Sequence, residues 1–289
     1  MNRLRSVIKI LALLFLWLAM SGSNSALAHE GFNSDPTTLP APVAKAWGAT
    51  FMLLFRDAIG YDWGTAFLVK RDTGLKFTKL YFLTNGHVVR EICGNKTGLC
   101  PVLSLVANPR LTHLDDIHFR LDSSADTFES IEVVKLSMNP DLALLRVTTA
   151  SRSTAGFSPI QVSRDCKTGY RDSLYAVGFS DPFSRTVPGH LPVADQNVVF
   201  KRWSQGIFIV DVLVSDPTGA QTLSGTTVDA LSGGSGSPLL DAHGFVVGVL
   251  QKSIGAREGV SRYVGNENED DISPQSFAVA CGPLTDFLK

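Results

Sequence analysis

The chain has 289 residues, 44% hydrophobic and 18% charged, with a formal net charge of −1. Disorder needs low hydrophobicity with high net charge, and collagen-like or low-complexity folds need a period that the 25 Gly and 14 Pro do not show. The basic footprint of a nucleic-acid binder is missing too, so no nucleic-acid partner is expected.

Arg3, Arg5 and Lys9 make a basic start, Ile8 to Met20 is apolar apart from Lys9, and small residues then end in Ala26-Leu27-Ala28. That is the three-part layout of a secretory signal, with cleavage expected after Ala28. The apolar run falls short of the roughly 20 residues of a membrane span. Residues 1–28 are therefore read as a signal peptide, and the mature protein as exported to the periplasm or medium with no membrane attachment. Removing them leaves 23 basic against 27 acidic side chains, net −4. Residues 29–42 are polar and Pro-rich and read as a linker or arm.

From about residue 46, short apolar segments follow one another: ATFMLLFR, GTAFLVKR, FTKLYFLT, PVLSLVAN, IHFRLD, IEVVKLSM and LALLRV. Their length, their β-branched and aromatic content and the Gly, Asp, Asn and Pro between them predict strands, with no amphipathic helix among them. TTASRSTAGFSP, at 148–159, breaks the series, which resumes with SLYAVGFS, QNVVFKRW, GIFIVDVL, SPLLDA and FVVGVLQKS. The last segment, SPQSFAVACGPLTDFLK, is expected to close with a short helix capped by Ser273 ahead of Pro274. The fold class is all-β, with a first half over 43–150 and a second over 151–289. A closed barrel in each would remove exposed strand edges.

Four cysteines in an exported chain suggest disulfides, and three pairings are possible. The short loop between Cys93 and Cys100 makes them the natural local pair, leaving Cys166 with Cys281. Buried free thiols are the alternative. No Cys/His spacing supports structural zinc, and neither metal nor other cofactor is expected.

Three segments carry side chains capable of chemistry. In Leu83-Thr84-Asn85-Gly86-His87-Val88-Val89 an imidazole follows an apolar strand, where it can face a cleft. In Asn139-Pro140-Asp141-Leu142-Ala143-Leu144 a carboxylate opens a strongly apolar strand and must be hydrogen-bonded to be tolerated. In Gly233-Gly234-Ser235-Gly236-Ser237-Pro238 glycines let the backbone turn tightly, so that Ser235 is presented with its own N–H and that of Gly233, two donors suited to a developing oxyanion. Each has a bland reading: a structural His, a strand-start Asp, a flexible turn. An α/β-hydrolase would need its Ser first in chain order. A copper brace built on His29 with His113, His118, His190 or His243 is a more distant rival.

With GTAFLV, Thr-Asn-Gly-His-Val-Val, Asp-Leu-Ala-Leu-Leu, YAVGFSDP and Gly-Gly-Ser-Gly-Ser-Pro in that order across residues 46–255, the sequence resembles the trypsin/chymotrypsin-like serine proteases, most closely their bacterial exported members. The resemblance implies two six-stranded antiparallel barrels with an active site in the crevice between them. It also implies a serine endopeptidase acting on proteins or peptides, with His87 as base, Asp141 orienting it, Ser235 as nucleophile, and Gly233 and Ser235 N–H groups as oxyanion donors. Gly234 stands where trypsins carry the Asp that pairs with a processed amino terminus, so that activation is not expected. Gln251 stands near the Ser that supports the catalytic Asp in trypsins, and with Asp229 is a candidate for the specificity pocket. Asp229, six residues before Ser235, has the offset of the trypsin pocket carboxylate and would select Arg or Lys. A solvent-facing turn Asp, or one neutralised by Lys252, would leave small or medium apolar residues as the preference. A monomer is expected, with no peptide-binding PDZ module appended.

Overall fold

The computed structural model describes residues 36–56, 61–107, 110–113, 119–122, 126–150, 156–179, 198–199, 201–216, 219–228, 233–253 and 276–289. The signal peptide, Asp229, Ser273, Pro274, His29, His118 and His190 lie outside them. Pro36–Thr38 form one 3₁₀ turn, and α1 (Ala41–Trp47) follows, with Pro42 in its first turn and Val43 and Ala46 buried.

Ten strands come from the first half: β1 (Thr50–Arg56), β2 (Tyr61–Thr73), β3 (Phe77–Thr84), β4 (Gly98–Cys100), β5 (Leu103–Ala107), β6 (Arg110–His113), β7 (Phe119–Asp122), β8 (Asp126–Phe128), β9 (Ile131–Met138) and β10 (Asp141–Ala150). Eight of them make one sheet in the order β4-β9-β10-β3-β2-β1-β5-β8. It has two more strands than expected and does not close among the described residues. β6 and β7 instead join β12 (Val198–Val199) in a separate three-stranded sheet. The second half does form a closed six-stranded barrel, in the order β11 (Ser173–Gly178), β13 (Arg202–Asp216), β14 (Gly219–Thr226), β17 (Ser276–Ala280), β16 (Val246–Ser253), β15 (Pro238–Leu240). A short α3 (Cys281–Leu288) follows. The fold is all-β with a short C-terminal helix, as expected; one half closes into the expected barrel and the other is an eight-stranded sheet, open among the described residues, with a small third sheet beside it.

Three local features go beyond the sequence expectations. The final segment is a strand before it is a helix: Ser276–Ala280 is buried throughout and pairs with both β14 and β16, so barrel closure overrides its helix-compatible composition. β14, GAQTLSGT, offers little hydrophobic signal, yet it pairs with β13 from Phe208 to Asp216. β13 is one strand of 15 residues rather than the second of two short ones.

β1 explains how the halves meet. Its alternate residues point to opposite faces. Phe51 and Leu53 enter the main core, which also takes Val177, Leu240, Val249 and Phe287 from the second half. Phe51 packs edge-on against Phe82 at 5.0 Å and Phe157 at 5.1 Å. Met52 and Leu54 enter a smaller cluster with Trp63, Val106 and Phe179. Burial on both faces is why this strand reads as an unbroken apolar run.

Disulfides join Cys93 to Cys100 and Cys166 to Cys281. No helix among the described residues is long and apolar enough to cross a membrane.

Candidate active site

His87 does not sit on a strand end. It is the second residue of an eight-residue helix, α2 (Gly86–Cys93), which is too short to register as an amphipathic stretch. Placement there turns both its backbone and its ring towards Asp141. The His87 N–H donates to Asp141 Oδ1 at 2.7 Å, and Nδ1 lies 2.6 Å from Oδ2. Gly86 is required at the approach, because a Cβ there would stand 2.2 Å from the Ser137 carbonyl oxygen and 3.0 Å from Asp141 Oδ1. Asn85, fully buried, donates from Nδ2 to the Asp141 carbonyl at 3.0 Å and ties the helix start to the start of β10.

Asp141 is only 2% exposed. A buried carboxylate is stable when donors satisfy it, and His87 supplies two. Since a carboxylate only accepts, the short contact assigns the proton to Nδ1 and leaves the Nε2 lone pair available as a base. The His87 side chain is 29% exposed.

Ser235 lies in a turn leading into β15. Gly233 and Gly236 have φ of 79° and 89°, the left-handed region that favours glycine. A Cβ on Gly236 would meet the Thr65 carbonyl oxygen at 1.9 Å. The turn is stitched by Ser237 N–H to the Gly234 carbonyl at 3.0 Å and by Gly236 N–H to the Leu250 carbonyl at 2.8 Å. Amide N–H and C=O point opposite ways across a planar trans peptide. With the Gly234 carbonyl turned to Ser237, the Ser235 N–H therefore faces the other side. Among the described residues neither that N–H nor the Gly233 N–H has a hydrogen-bond partner.

The Ser235 hydroxyl donates to the main-chain carbonyl of Gln251 at 3.2 Å, and among the described residues no hydrogen bond joins it to His87. Among the described residues no hydrogen bond joins the Gln251 side chain to Asp141, and its Oε1 is buried without a partner. No cluster of three or more potential metal-ligating His, Cys, Asp or Glu side chains exists among the described residues.

Thr65 and Thr84, both fully buried, stand inside two of the sequence boxes but carry no assigned role there. Thr65 N–H donates to the Ser235 carbonyl at 2.8 Å, its Oγ1 donates to the Gly233 carbonyl at 3.1 Å, and the Thr84 hydroxyl donates to the Thr65 carbonyl at 2.7 Å. The available signal was a threonine within GTAFLV and another at the end of the apolar strand that leads to His87. Nearby, Lys201 is 5% exposed and donates to the Trp47 carbonyl at 2.6 Å, and burial pushes its amine down to about 7.

Residues 64–249 match the family described as trypsin-like peptidase domain. No curated protein matches the chain significantly. Among solved structures, the chain is similar to the Rv3671c protease of M. tuberculosis. The active form has a TM-score of 0.54 at 15% identity, with 91% of this chain and 88% of that one covered. The inactive form has a TM-score of 0.52 at 15% identity, covering 89% and 96%. The HtrA-type protease AlgW with a tripeptide has a TM-score of 0.51 at 17% identity, covering 85% of this chain and 60% of that one. At such identities the likeness is one of fold.

Proposed function

The chain belongs to the trypsin-like peptidase family and is a serine protease, and from that premise we propose that it is an endopeptidase working through Ser235, His87 and Asp141. The observation that carries this is the doubly bonded His87–Asp141 pair, at 2.6 and 2.7 Å, which leaves one imidazole nitrogen free to act as a base.

In the proposed cycle the Ser235 hydroxyl turns from the Gln251 carbonyl to His87 Nε2, which takes its proton as Oγ attacks the scissile carbonyl carbon. The Ser235 and Gly233 N–H groups receive the developing oxyanion. Asp141 holds the imidazole in its tautomer and stabilises the imidazolium without itself taking the proton. His87 then returns the proton to the leaving amine, giving an acyl-enzyme on Ser235. Water, deprotonated by the same nitrogen, attacks the ester; collapse frees the carboxylic acid and restores the hydroxyl.

Substrates are proteins or peptides, met outside the cytoplasm once the signal is removed, and the enzyme acts as a monomer. Asp229 at the base of the primary pocket would select Arg or Lys, with small or medium apolar residues the alternative. Fluorogenic peptides differing only at that residue, assayed on wild type and Asp229→Ser, decide between them.

The test of the function is labelling of the mature protein by a serine-directed fluorophosphonate, together with a peptide-library cleavage profile. Labelling and cleavage abolished in Ser235→Ala support the reading. A wild type that neither labels nor cleaves is a protease fold without turnover.

A further inference from the structure

We propose that Thr65, on the first sheet, is a positioning residue that sets the oxyanion-binding turn of the second barrel through its side-chain hydroxyl. The inference rests on the reading of Ser235 as nucleophile given above.

Every polar group of Thr65 that faces the turn is used. Its hydroxyl hydrogen goes to the Gly233 carbonyl at 3.1 Å, and the same oxygen accepts the Phe179 N–H at 3.1 Å. Its N–H goes to the Ser235 carbonyl at 2.8 Å. Its own carbonyl is fixed from behind by the Thr84 hydroxyl at 2.7 Å.

Peptide planarity turns these contacts into control of the donors. Holding the Gly233 carbonyl fixes the peptide plane just before Gly234. Holding the Ser235 carbonyl fixes the plane just after Ser235. The Gly234–Ser235 peptide between them carries the proposed oxyanion donor; its own carbonyl is held by the Ser237 N–H at 3.0 Å, and the two fixed planes set where this peptide sits and how it is aimed. Gly233 and Gly236 are glycines at positive φ, so without outside anchors the flanking planes would turn with little steric resistance and carry the donor peptide with them.

The anchor is also shaped for this one hydroxyl. A Cβ on Gly178 would lie 3.0 Å from Thr65 Oγ1 and 2.0 Å from Ser237 Oγ, so the strand beside it must stay bare there. The N–H and carbonyl of Thr65 would survive any side-chain replacement. The bonds to Gly233 and Phe179 would not, which isolates the hydroxyl as the testable part.

The experiment pairs kinetics with a measurement that needs no activity. Thr65→Val keeps the shape of the side chain and removes the hydroxyl; Thr65→Ser keeps the hydroxyl. Losing one oxyanion donor outright costs about 10²–10³ in kcat, so an effect acting through position is expected at about 10–100-fold. In Thr65→Val, kcat should fall by that factor with KM changed less than about 3-fold. Affinity for a peptide boronic acid, whose adduct needs the oxyanion donors, should fall in parallel. The shape of the pH–rate profile should not move, because Thr65 does not touch His87. Thr65→Ser should restore kcat and boronate affinity.

In the free protein, amide exchange at Gly236 and Ser237 should quicken at least about tenfold in Thr65→Val and not in Thr65→Ser. Unchanged exchange, or a loss confined to KM, overturns the inference. If fluorophosphonate fails to label the wild type while the exchange effect is present, the function reading fails and the positioning role stands. Should Thr65→Val fail to fold, Thr84→Val supplies the same paired measurements with smaller effects; if it alters neither exchange nor boronate affinity, the inference is overturned.

Discussion

His87 is held by a side chain of its own half of the chain, whereas the turn around Ser235 is held mainly through its carbonyls, partly from the other half. On the first side, a buried carboxylate grips one residue twice, and the neighbouring Asn85 ties the strand to the helix. On the second side, carbonyls of residues 233, 234 and 235 are each taken by a donor, and the Ser235 hydroxyl rests on the Gln251 carbonyl. The proposed base is thus organised before substrate arrives. The proposed nucleophile keeps one rotation to make. Damage on the first side should appear in acid–base chemistry, and damage on the second in the handling of the oxyanion.

The largest expected effects remove the chemistry from either side. Ser235→Ala and His87→Ala should each lower amide hydrolysis by up to roughly 10⁶-fold, and the double variant by no more than either alone, since the two act in one step. Steady-state rates on a common peptide, with circular dichroism to check the fold, measure this; additive losses would separate what the comparison joins. Asp141→Asn should follow at roughly 10⁴-fold, because a neutral amide can hold His87 in the wrong tautomer. Its deficit should be in kcat.

On the nucleophile side, Gly236→Ala places a methyl against the Thr65 carbonyl and forces a side chain into left-handed backbone. Strain of this kind costs about 1–3 kcal/mol per residue before the clash is counted. Both thermal stability and kcat should fall, whereas Gly48→Ala, where the added methyl meets open space, should do neither.

The smallest effect concerns stability alone. Lys201 holds its proton only below about 7 when folded, but up to the ordinary lysine range when unfolded. Through that window the unfolded chain binds more protons, so this residue opposes folding increasingly as pH falls from about 10 towards 7, and constantly below it. Thermal unfolding of wild type and Lys201→Met, compared across that range, should show curves that diverge towards neutral pH. Parallel curves would mean the amine is not desolvated.

Much of this was readable in the chain. Strands such as TFMLLFR and IEVVKLSM announce themselves because burial on one or both faces demands apolar residues. His87, Asp141 and Ser235 stand out because each is a reactive group beside a glycine or an apolar strand. What escaped detection has physical reasons. Thr65 and Thr84 are β-branched residues in strands, and nothing in their composition tells a strand former from a hydroxyl aimed at another element's backbone. β14 is built of small and polar residues whose pairing depends on β13 rather than on their own hydrophobicity. Gln251 matched a supporting position by spacing, yet its carbonyl rather than its side chain meets Ser235.

The bridge from Cys166 to Cys281 spans 115 positions, and all six strands of the closed barrel lie between its ends. Such a closure takes about 4–5 kcal/mol of disorder out of the unfolded chain on the loop-entropy account. It also makes the barrel a covalent ring. A single cut anywhere inside that ring releases no fragment, and the flanks remain tethered for as long as the bridge is oxidised. For a protease that meets other copies of itself, the exposed turns of this half become places where a nick is survivable. Autolysis there should be visible as separate bands only after reduction.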